Sequence, residues 1–371
     1  MKIAILTLPL HTNYGGILQA YALQTILERN GHQVVIVDKD RYKPAGIYHQ
    51  LRSLLIYIRK GFAKEYKPNW AYNKIKRKRE INTRDFVNRY INIYSIRYLA
   101  TEFPHNIDAI VVGSDQIWRK QLFRGMIDGE LENAYLSFTQ GWNVKRIAYA
   151  ASFGTDEWEY TAEESKQCAQ LIEAFNAVGV RELTGVELCS KYLHYQHAKH
   201  VLDPTLLLDK VDYESLVKNG KTKSSEGNLM VYILDDTEEK KALVNKIATE
   251  RNFKPFRANQ SDDIFRNDPN AVQPPVEQWL RGFMDADFVV TDSFHACVFS
   301  IIFRKPFVAL ANQKRGGARF SSLLSMFDVM QNLISSIDEY DSNLSYEITD
   351  KSLRILEVKR KESIDFLRVA L

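Results

Sequence analysis

Cysteine is scarce in this chain of 371 residues, and long apolar runs are missing. The three cysteines, Cys168, Cys189 and Cys297, lie far apart and form no CxxC pair, which argues against a disulfide framework and a structural zinc site. No window holds the ~18 to 20 apolar residues that span a bilayer. The first residues, MKIAILTLPLHTNYGG, lack the longer hydrophobic region and cleavage site of a secretory signal. We therefore expect a cytoplasmic protein with reduced thiols.

The length and the apolar content predict two globular domains. Apolar residues make up 45% of the chain and charged residues 26%, the composition of a soluble folded protein. Single hydrophobic cores stop growing beyond about 250 to 300 residues, so a chain of this length is expected to divide.

Positive charge is concentrated in one segment. Residues 41–90 hold 14 Lys or Arg against only Glu65, Glu80 and Asp85, although the net charge of the whole chain is +4. A solvated helical face explains this as well as attraction to an anionic partner does. The stretch LRSLLIYIRKGF mixes bulky apolar and basic residues, which favours peripheral contact with an anionic membrane over nucleic acid.

Short apolar runs alternate with helical patterns and predict a mostly parallel α/β fold. The opening KIAIL, ILQAYALQTILERN and HQVVIVD spells strand, helix, strand, and further strands are predicted at 108–115, 146–154, 176–182 and 200–208. The polar cluster KNGKTKSSEGN at 218–228 indicates a linker. We predict two Rossmann-like domains facing each other across a cleft, over 1–217 and 218–345, with a C-terminal helix over 346–371.

Two segments that follow predicted strands offer polar groups to a ligand. In HTNYGGILQ, the glycines allow close backbone approach and the helix start favours an anion, although a tight turn needs glycine too. In VVGSDQIW, a carboxylate, an amide and an indole suit a sugar, although a helix cap is the structural alternative. The candidate acceptor or cleft residues are Asn13, Tyr14, Gly15, Gly16, Gln19, Ser114, Asp115, Gln116 and Trp118.

Charged residues near the other strand ends are candidate anion ligands. Arg181 follows the apolar run AVGV, and an internal ion pair with Asp203 or Glu182 explains it as well as ligand binding does. Lys314 and Arg319 lie in ANQKRGGARFSSLL, which is either an anion clamp or a solvated loop. His295, just after the strand DFVVTD, is placed where open α/β sheets carry their chemistry.

Six motifs, in this order, resemble those of the polysaccharide pyruvyl transferases: NYGGILQAYALQ, DAIVVGSDQIW, AASFG, VRE, VLDPTLLL and DFVVTDSFHACVFSIIFRKPFVAL. The resemblance implies a fold like that of the GT-B glycosyltransferases and pyruvyl transfer from phosphoenolpyruvate to a saccharide. It also implies that His295 and Arg181 belong to the site. The family usually has arginine two residues before the histidine, where this chain has Ser293.

The chemistry of such a transfer sets the expected roles. Phosphoenolpyruvate carries close to three negative charges and needs cations, so we expect Arg181 and at least one of Lys305, Lys314 and Arg319 to hold it near Ser293. His295 is expected to be catalytic, because imidazole titrates closest to neutral pH. No metal or other cofactor is required.

Three functions remain open at this point. The first is ketal formation on a precursor of a cell-surface or capsular polysaccharide, with a lipid-linked acceptor at the inner face of the membrane. The second is a GT-B-like glycosyltransferase that uses a nucleotide sugar. The third is a saccharide-binding relative without activity, which the missing arginine makes conceivable.

Overall fold

Seven parallel strands form the first sheet of the molecule, in the order β3-β2-β1-β4-β5-β6-β7. A computed structural model describes residues 1–39, 69–127, 129–260, 268, 270–311 and 317–371. The strands of this sheet are β1 (Lys2–Leu6), β2 (Gln33–Lys39), β3 (Ile93–Ile96), β4 (Ala109–Val112), β5 (Lys145–Ala151), β6 (Ala177–Val180) and β7 (Lys199–His200).

The central strands are apolar on both faces, which is why they lie in the middle of a covered parallel sheet. Ile5 of β1 is paired with Ile36 of β2 and with Val111 of β4, and all three side chains are fully buried. The helices around this sheet are α1 (Tyr14–Arg29), α2 (Asn69–Arg79), α3 (Ile81–Tyr90), α4 (Leu99–Glu102), α5 (Lys120–Ile127), α6 (Ala162–Ile172) and α7 (Leu183–Tyr192).

The second sheet is also parallel, with the order β9-β8-β10-β11-β12. Its strands are β8 (Leu229–Tyr232), β9 (Pro255–Phe256), β10 (Phe288–Thr291), β11 (Phe307–Leu310) and β12 (Leu333–Ile334). Its helices are α8 (Lys210–Asn219), α9 (Glu238–Glu250), α10 (Val276–Asp285), α11 (Phe294–Ile302) and α12 (Gly317–Met326), and the long α13 (Asp350–Ala370) follows them. The predicted α/β class with two Rossmann-like sheets is confirmed.

The strand predicted over 200–208 is wrong beyond His200. The chain forms a 3₁₀ helix at Pro204–Leu207 instead. Pro204 occupies its first turn, where a missing N–H costs nothing, and the Asp203 side chain caps it by accepting from the backbone N–H of Thr205. The apolar character of the run reflects burial rather than strand structure, since Leu206 is fully buried.

The two sheets share apolar and polar contacts. Tyr14 of α1 stacks on Trp279 of α10, with ring centroids 5.2 Å apart, and its hydroxyl donates to the carbonyl of Pro274 at 2.8 Å. Arg89 of α3 forms an ion pair of 2.5 Å with Glu277, whose side chain is only 1% exposed. These contacts fix how the carboxyl ends of the two sheets face each other.

Helix α13 runs back from the second sheet to the first. Its Phe366 lies over Gly179 of β6, where an added Cβ would be 3.1 Å from the ring, and against Tyr149 of β5. The hydroxyl of Ser363 accepts from the backbone N–H of Leu202 at 3.0 Å. The first sheet is therefore completed by the last helix.

The predicted linker and the basic segment have different outcomes. Residues 220–228, between α8 and β8, form no helix or strand. Of the basic segment, residues 41–68 lie outside the described ranges, and the rest forms α2 and α3. Arg84 of α3 binds Asp38 at 2.8 Å, so its charge is used inside the protein. Among the described residues, no helix has the length and apolar character to cross a membrane.

Candidate functional site

The carboxyl ends of the two sheets meet where α1 and α11 begin. Asn13 caps α1 by accepting from the N–H of Gly16, and Ser293 occupies the N-cap position of α11. Gly15 lies directly on the imidazole of His295, because a Cβ added at Gly15 would come within 2.1 Å of its Cγ and Nδ1. His295 thus lies at the junction of the two halves, just after β10.

Arg181 is the centre of a buried ionic cluster beside this junction. It follows β6, its side chain is 1% exposed, and it contacts Asp203 at 2.9 Å and Asp115 at 3.4 Å. Burial opposes the charge of the guanidinium, yet the carboxylates of Asp203, Asp115 and Glu182 raise the pKa of Arg181 above its usual value. The ion pair with Asp203, one of the two interpretations offered by the sequence, is therefore real.

Asp203 links this cluster to His295. Its Oδ2 accepts from Arg181 and lies 3.5 Å from Nε2 of His295, and its Oδ1 accepts from the N–H and the hydroxyl of Thr205. Burial alone would raise the pKa of Asp203, but His295, Arg181 and Thr205 together hold it well below its usual range. Asp203 is consequently an anion at neutral pH.

Arg319 brings a second buried guanidinium to the cluster from α12. The Arg181 and Arg319 guanidinium carbons lie 4.6 and 5.9 Å from the ring centroid of Phe294. Burial and the charge of Arg181 lower the pKa of Arg319 to about 10, against an opposing effect of Glu182 and Asp115. Arg319 remains a cation at neutral pH, in a place where an added anion would stabilise it.

His295 is almost completely buried beside Asp203. Its side chain is 9% exposed, and Nε2 lies 3.5 Å from Oδ2 of Asp203, a contact that falls short of a hydrogen bond of good geometry. The N-termini of α1 and α11 both lie next to it, and helix N-termini favour anions. The arrangement can therefore hold an anion beside an imidazole.

The predicted aromatic ligands are not brought to this cluster. Trp118 is fully buried, donates its indole N–H to the carbonyl of Ala134, and stacks on Tyr135 at 4.8 Å. Tyr14 is also fully buried, between the two sheets. Neither ring has a face for a sugar, so both are core residues.

Two of the predicted polar ligands form hydrogen bonds inside the protein instead. The Gln19 amide donates to Thr7 and to the carbonyl of Gly16, and accepts from the N–H of Ser114. The Ser114 hydroxyl donates to the carbonyl of Ala150. Both side chains hold the β1 and β4 loops in place. Asn13 is exposed and Gln116 is half-buried, so these two keep surface for a ligand.

Of the predicted cations, two belong to the buried cluster and one lies away from it. Arg181 and Arg319 both lie against Phe294. Lys305 lies before β11, at the amino ends of the strands of the second sheet, and donates to the carbonyl of Met284. Since β10 and β11 are parallel, the loop before β11 is a strand length away from His295. Lys314 lies outside the described residues.

Sequence reasoning missed the roles of Phe294 and Gly15. Phe294 was passed over as one apolar residue among many, yet both guanidinium groups lie against its ring. The glycine pair was noted for its approach to a ligand, whereas the structure shows Gly15 against His295. Across the described ranges, no group of three or more His, Cys, Asp or Glu side chains could hold a metal ion.

Comparison with known families decides the relationship. The family model described as polysaccharide pyruvyl transferase matches residues 13–314. The chain belongs to the polysaccharide pyruvyl transferase family. The match includes Asn13, Arg181, Ser293 and His295, and ends before Arg319. No curated protein sequence matches the chain.

Several solved structures of other enzymes match the chain at very low identity. Arabidopsis thaliana UGT89C1 complexed with UDP-L-rhamnose has a TM-score of 0.48 at 8% identity, covering 100% of this chain and 98% of that one. UDP-GlcNAc 2-epimerase from Neisseria meningitidis has a TM-score of 0.46 at 9% identity, covering 100% and 94%. MurG from Acinetobacter baumannii has 0.43 at 11% identity, again covering 100% and 94%. At such scores the similarity says nothing about the chemistry of this pyruvyl transferase family member.

Proposed function

We propose that this protein transfers a pyruvyl group from phosphoenolpyruvate to two hydroxyls of a saccharide, forming a cyclic ketal on a precursor of a cell-surface polysaccharide. The observation that supports this most is the pair of buried guanidinium groups, Arg181 and Arg319, on Phe294 beside His295. Two cations next to an acid–base group are what a phosphorylated carboxylic acid needs.

The charges of the cluster assign different roles to its two arginines. Arg181 is already balanced by Asp203 and Asp115, so it shapes the site and contributes little uncompensated charge. Burial and Arg181 lower the pKa of Arg319 to about 10, against the opposing effect of Glu182 and Asp115, and a bound phosphate or carboxylate would stabilise its charge further. In our proposal Arg319 therefore replaces the arginine that the family resemblance predicts at Ser293.

The reaction requires one proton donor and two proton acceptors in sequence. A proton is added to the methylene carbon of phosphoenolpyruvate, one saccharide hydroxyl bonds to the central carbon, and the phosphate leaves as the second hydroxyl bonds there. The two hydroxyl protons end on the new methyl group and on the phosphate, so the reaction balances without water. His295 can deliver the first proton and accept the next, while Arg319 stabilises the leaving phosphate.

An internal carboxylate argues against nucleotide-sugar transfer. In an open α/β sheet, ligand phosphates bind at the carboxyl ends of the strands where the strand order reverses, which is between β8 and β10 here. The amides of Leu234 and Asp235 at that position already donate to Asp292, which also binds Lys240 at 2.6 Å. A diphosphate there would have to displace a buried anion.

Calorimetry with phosphoenolpyruvate alone tests the donor site. We expect binding to the wild-type protein, and a loss of about 2 kcal/mol on removing a buried charged partner, hence roughly 30-fold weaker binding by Arg319→Ala. Lys305→Ala is the matched control, because it removes a half-buried cation away from the cluster and should bind as tightly as the wild type. Binding of UDP-sugars in place of phosphoenolpyruvate, or equal binding by the arginine variant, would overturn the proposal.

Turnover tests the role of His295. Phosphate release from phosphoenolpyruvate, measured with saccharide acceptors, should be nearly abolished in His295→Ala, while donor binding persists because the two arginines remain. Near-normal phosphate release by this variant would remove His295 from the mechanism.

A further inference from the structure

Asp203 touches both partners of the proposed reaction centre and is itself shielded from solvent. Its side chain is 0% exposed. One oxygen, Oδ2, lies 2.9 Å from the Arg181 guanidinium and 3.5 Å from Nε2 of His295. Asp203 follows β7 of the first sheet and His295 begins α11 of the second, so this carboxylate joins the two halves of the molecule.

The other oxygen of Asp203 fixes the orientation of the carboxylate. Oδ1 accepts from the backbone N–H of Thr205 at 3.0 Å and from its hydroxyl at 2.7 Å. Rotation of the carboxylate would break both bonds in a buried place, where an unmade hydrogen bond is costly. Oδ2 is consequently held toward Arg181 and His295.

The two imidazole nitrogens of His295 have different surroundings. Nε2 faces Asp203, whereas Nδ1 faces the backbone of Gly15 at the start of α1. The nitrogen of a neutral imidazole that faces a carboxylate carries the proton, and the other nitrogen then has the lone pair. Other charged groups near this pair are Arg181, Asp115 and Glu182 from the first sheet and Arg319 from α12.

We infer that Asp203 is a positioning residue that keeps a proton on Nε2 of His295, so that Nδ1 is the nitrogen that exchanges protons with the substrate. The tautomer follows from the geometry alone, and only the exchange with substrate rests on the proposed function. The same carboxylate holds Arg181, so it also sets the spacing between His295 and the arginine pair.

Nitrogen-15 NMR of protein labelled at histidine tests the tautomer without any substrate. The His295 signals are assigned by their loss in His295→Ala. We expect the wild-type spectrum, at a pH where the imidazole is neutral, to show the proton on Nε2. In Asp203→Asn the preference should be lost, whereas in Glu182→Gln, which removes another buried carboxylate near Arg181, it should be kept.

A proton on Nδ1 in the wild type, or an unchanged tautomer in Asp203→Asn, would overturn the inference. The wild-type spectrum is sufficient for this, even if the Asp203 variant fails to fold. Kinetics provide a second test. In Asp203→Asn, kcat with phosphoenolpyruvate should fall at least about 100-fold, because loss of the carboxylate that sets the tautomer of a catalytic histidine lowers kcat by up to about 10⁴. If the wild type has no turnover, the proposed function fails while the tautomer result stands.

Discussion

Replacing Gly15 with alanine should separate the two helix starts at the site. The added Cβ would lie 2.1 Å from Cγ and Nδ1 of His295 and 2.7 Å from its Cβ. Ordinary contact begins at 3.4 Å, so the overlap is about 1.3 Å. Because the Cβ of His295 is close to its own backbone, a side-chain rotation does not remove the clash, and α1 or α11 must shift.

The expected cost of Gly15→Ala follows from two opposing effects. Overpacking of this kind costs about 1 to 3 kcal/mol, whereas alanine in place of glycine gains up to about 1 kcal/mol in a helix. We expect a net destabilisation of up to about 2 kcal/mol in urea unfolding followed by circular dichroism. Phosphate release should be lost, because His295 is displaced.

Gly16→Ala is the control for this prediction. It lies one position along the same helix, and its added Cβ would come only within 3.2 Å of the Asn13 side chain. It should therefore gain the helix effect with little loss of activity. Wild-type stability and wild-type turnover in Gly15→Ala would refute the contact between the two halves at His295.

Three further predictions concern the core, the pH dependence of stability and the basic helix. Trp118→Ala should destabilise the protein by about 3 to 5 kcal/mol, as truncations of buried aromatic residues do, and equal urea midpoints for variant and wild type would contradict its place in the core. Because the pKa of Asp203 is lowered on folding, its contribution to stability is complete above about pH 5 and is lost progressively as the pH falls toward its folded value. In urea unfolding across this range, the stability difference between wild type and Asp203→Asn should shrink in acid, and a constant difference would contradict this. Exchanging the exposed Lys74, Arg77 and Lys78 of α2 for glutamine should weaken binding to anionic vesicles roughly 100-fold in a sedimentation assay, at about 1 kcal/mol per cation. If the wild type shows no preference for anionic over neutral vesicles, membrane contact is rejected.

The alternation of apolar runs and helical patterns was sufficient to predict both sheets. The segment TEEKKALVNKIATE is an example, because a threonine followed by glutamates is typical of a helix start, and Thr237 does cap α9 by accepting from the N–H of Lys240. The run at 200–208 was misinterpreted because strand-like apolarity there comes from burial under α1 and α13. Short edge strands such as β9 and β12 carry too few residues to show a period of two.

The site was predictable in its strand-end residues but not in its contacts. His295, Arg181 and Arg319 were identified because they follow predicted strands, and parallel strands have their carboxyl ends at the same edge of a sheet. The same rule selected Trp118, whose ring turns into the core, since a strand end does not determine which way a side chain points. The contact between Arg319 and Phe294 depends on the packing of α12 against α11, and a local sequence pattern does not predict how two helices pack.

The return of α13 to the first sheet affects how the protein is made by the ribosome. Strands β5 and β6 are translated early, but the surface around Gly179 and Tyr149 that Phe366 covers stays bare until the last helix emerges. At about 5 to 20 residues per second, the interval between residue 217 and residue 370 is roughly 8 to 30 s. During that interval the nascent first sheet exposes the apolar patch that Phe366 later covers, and such exposed surface favours aggregation until the helix docks.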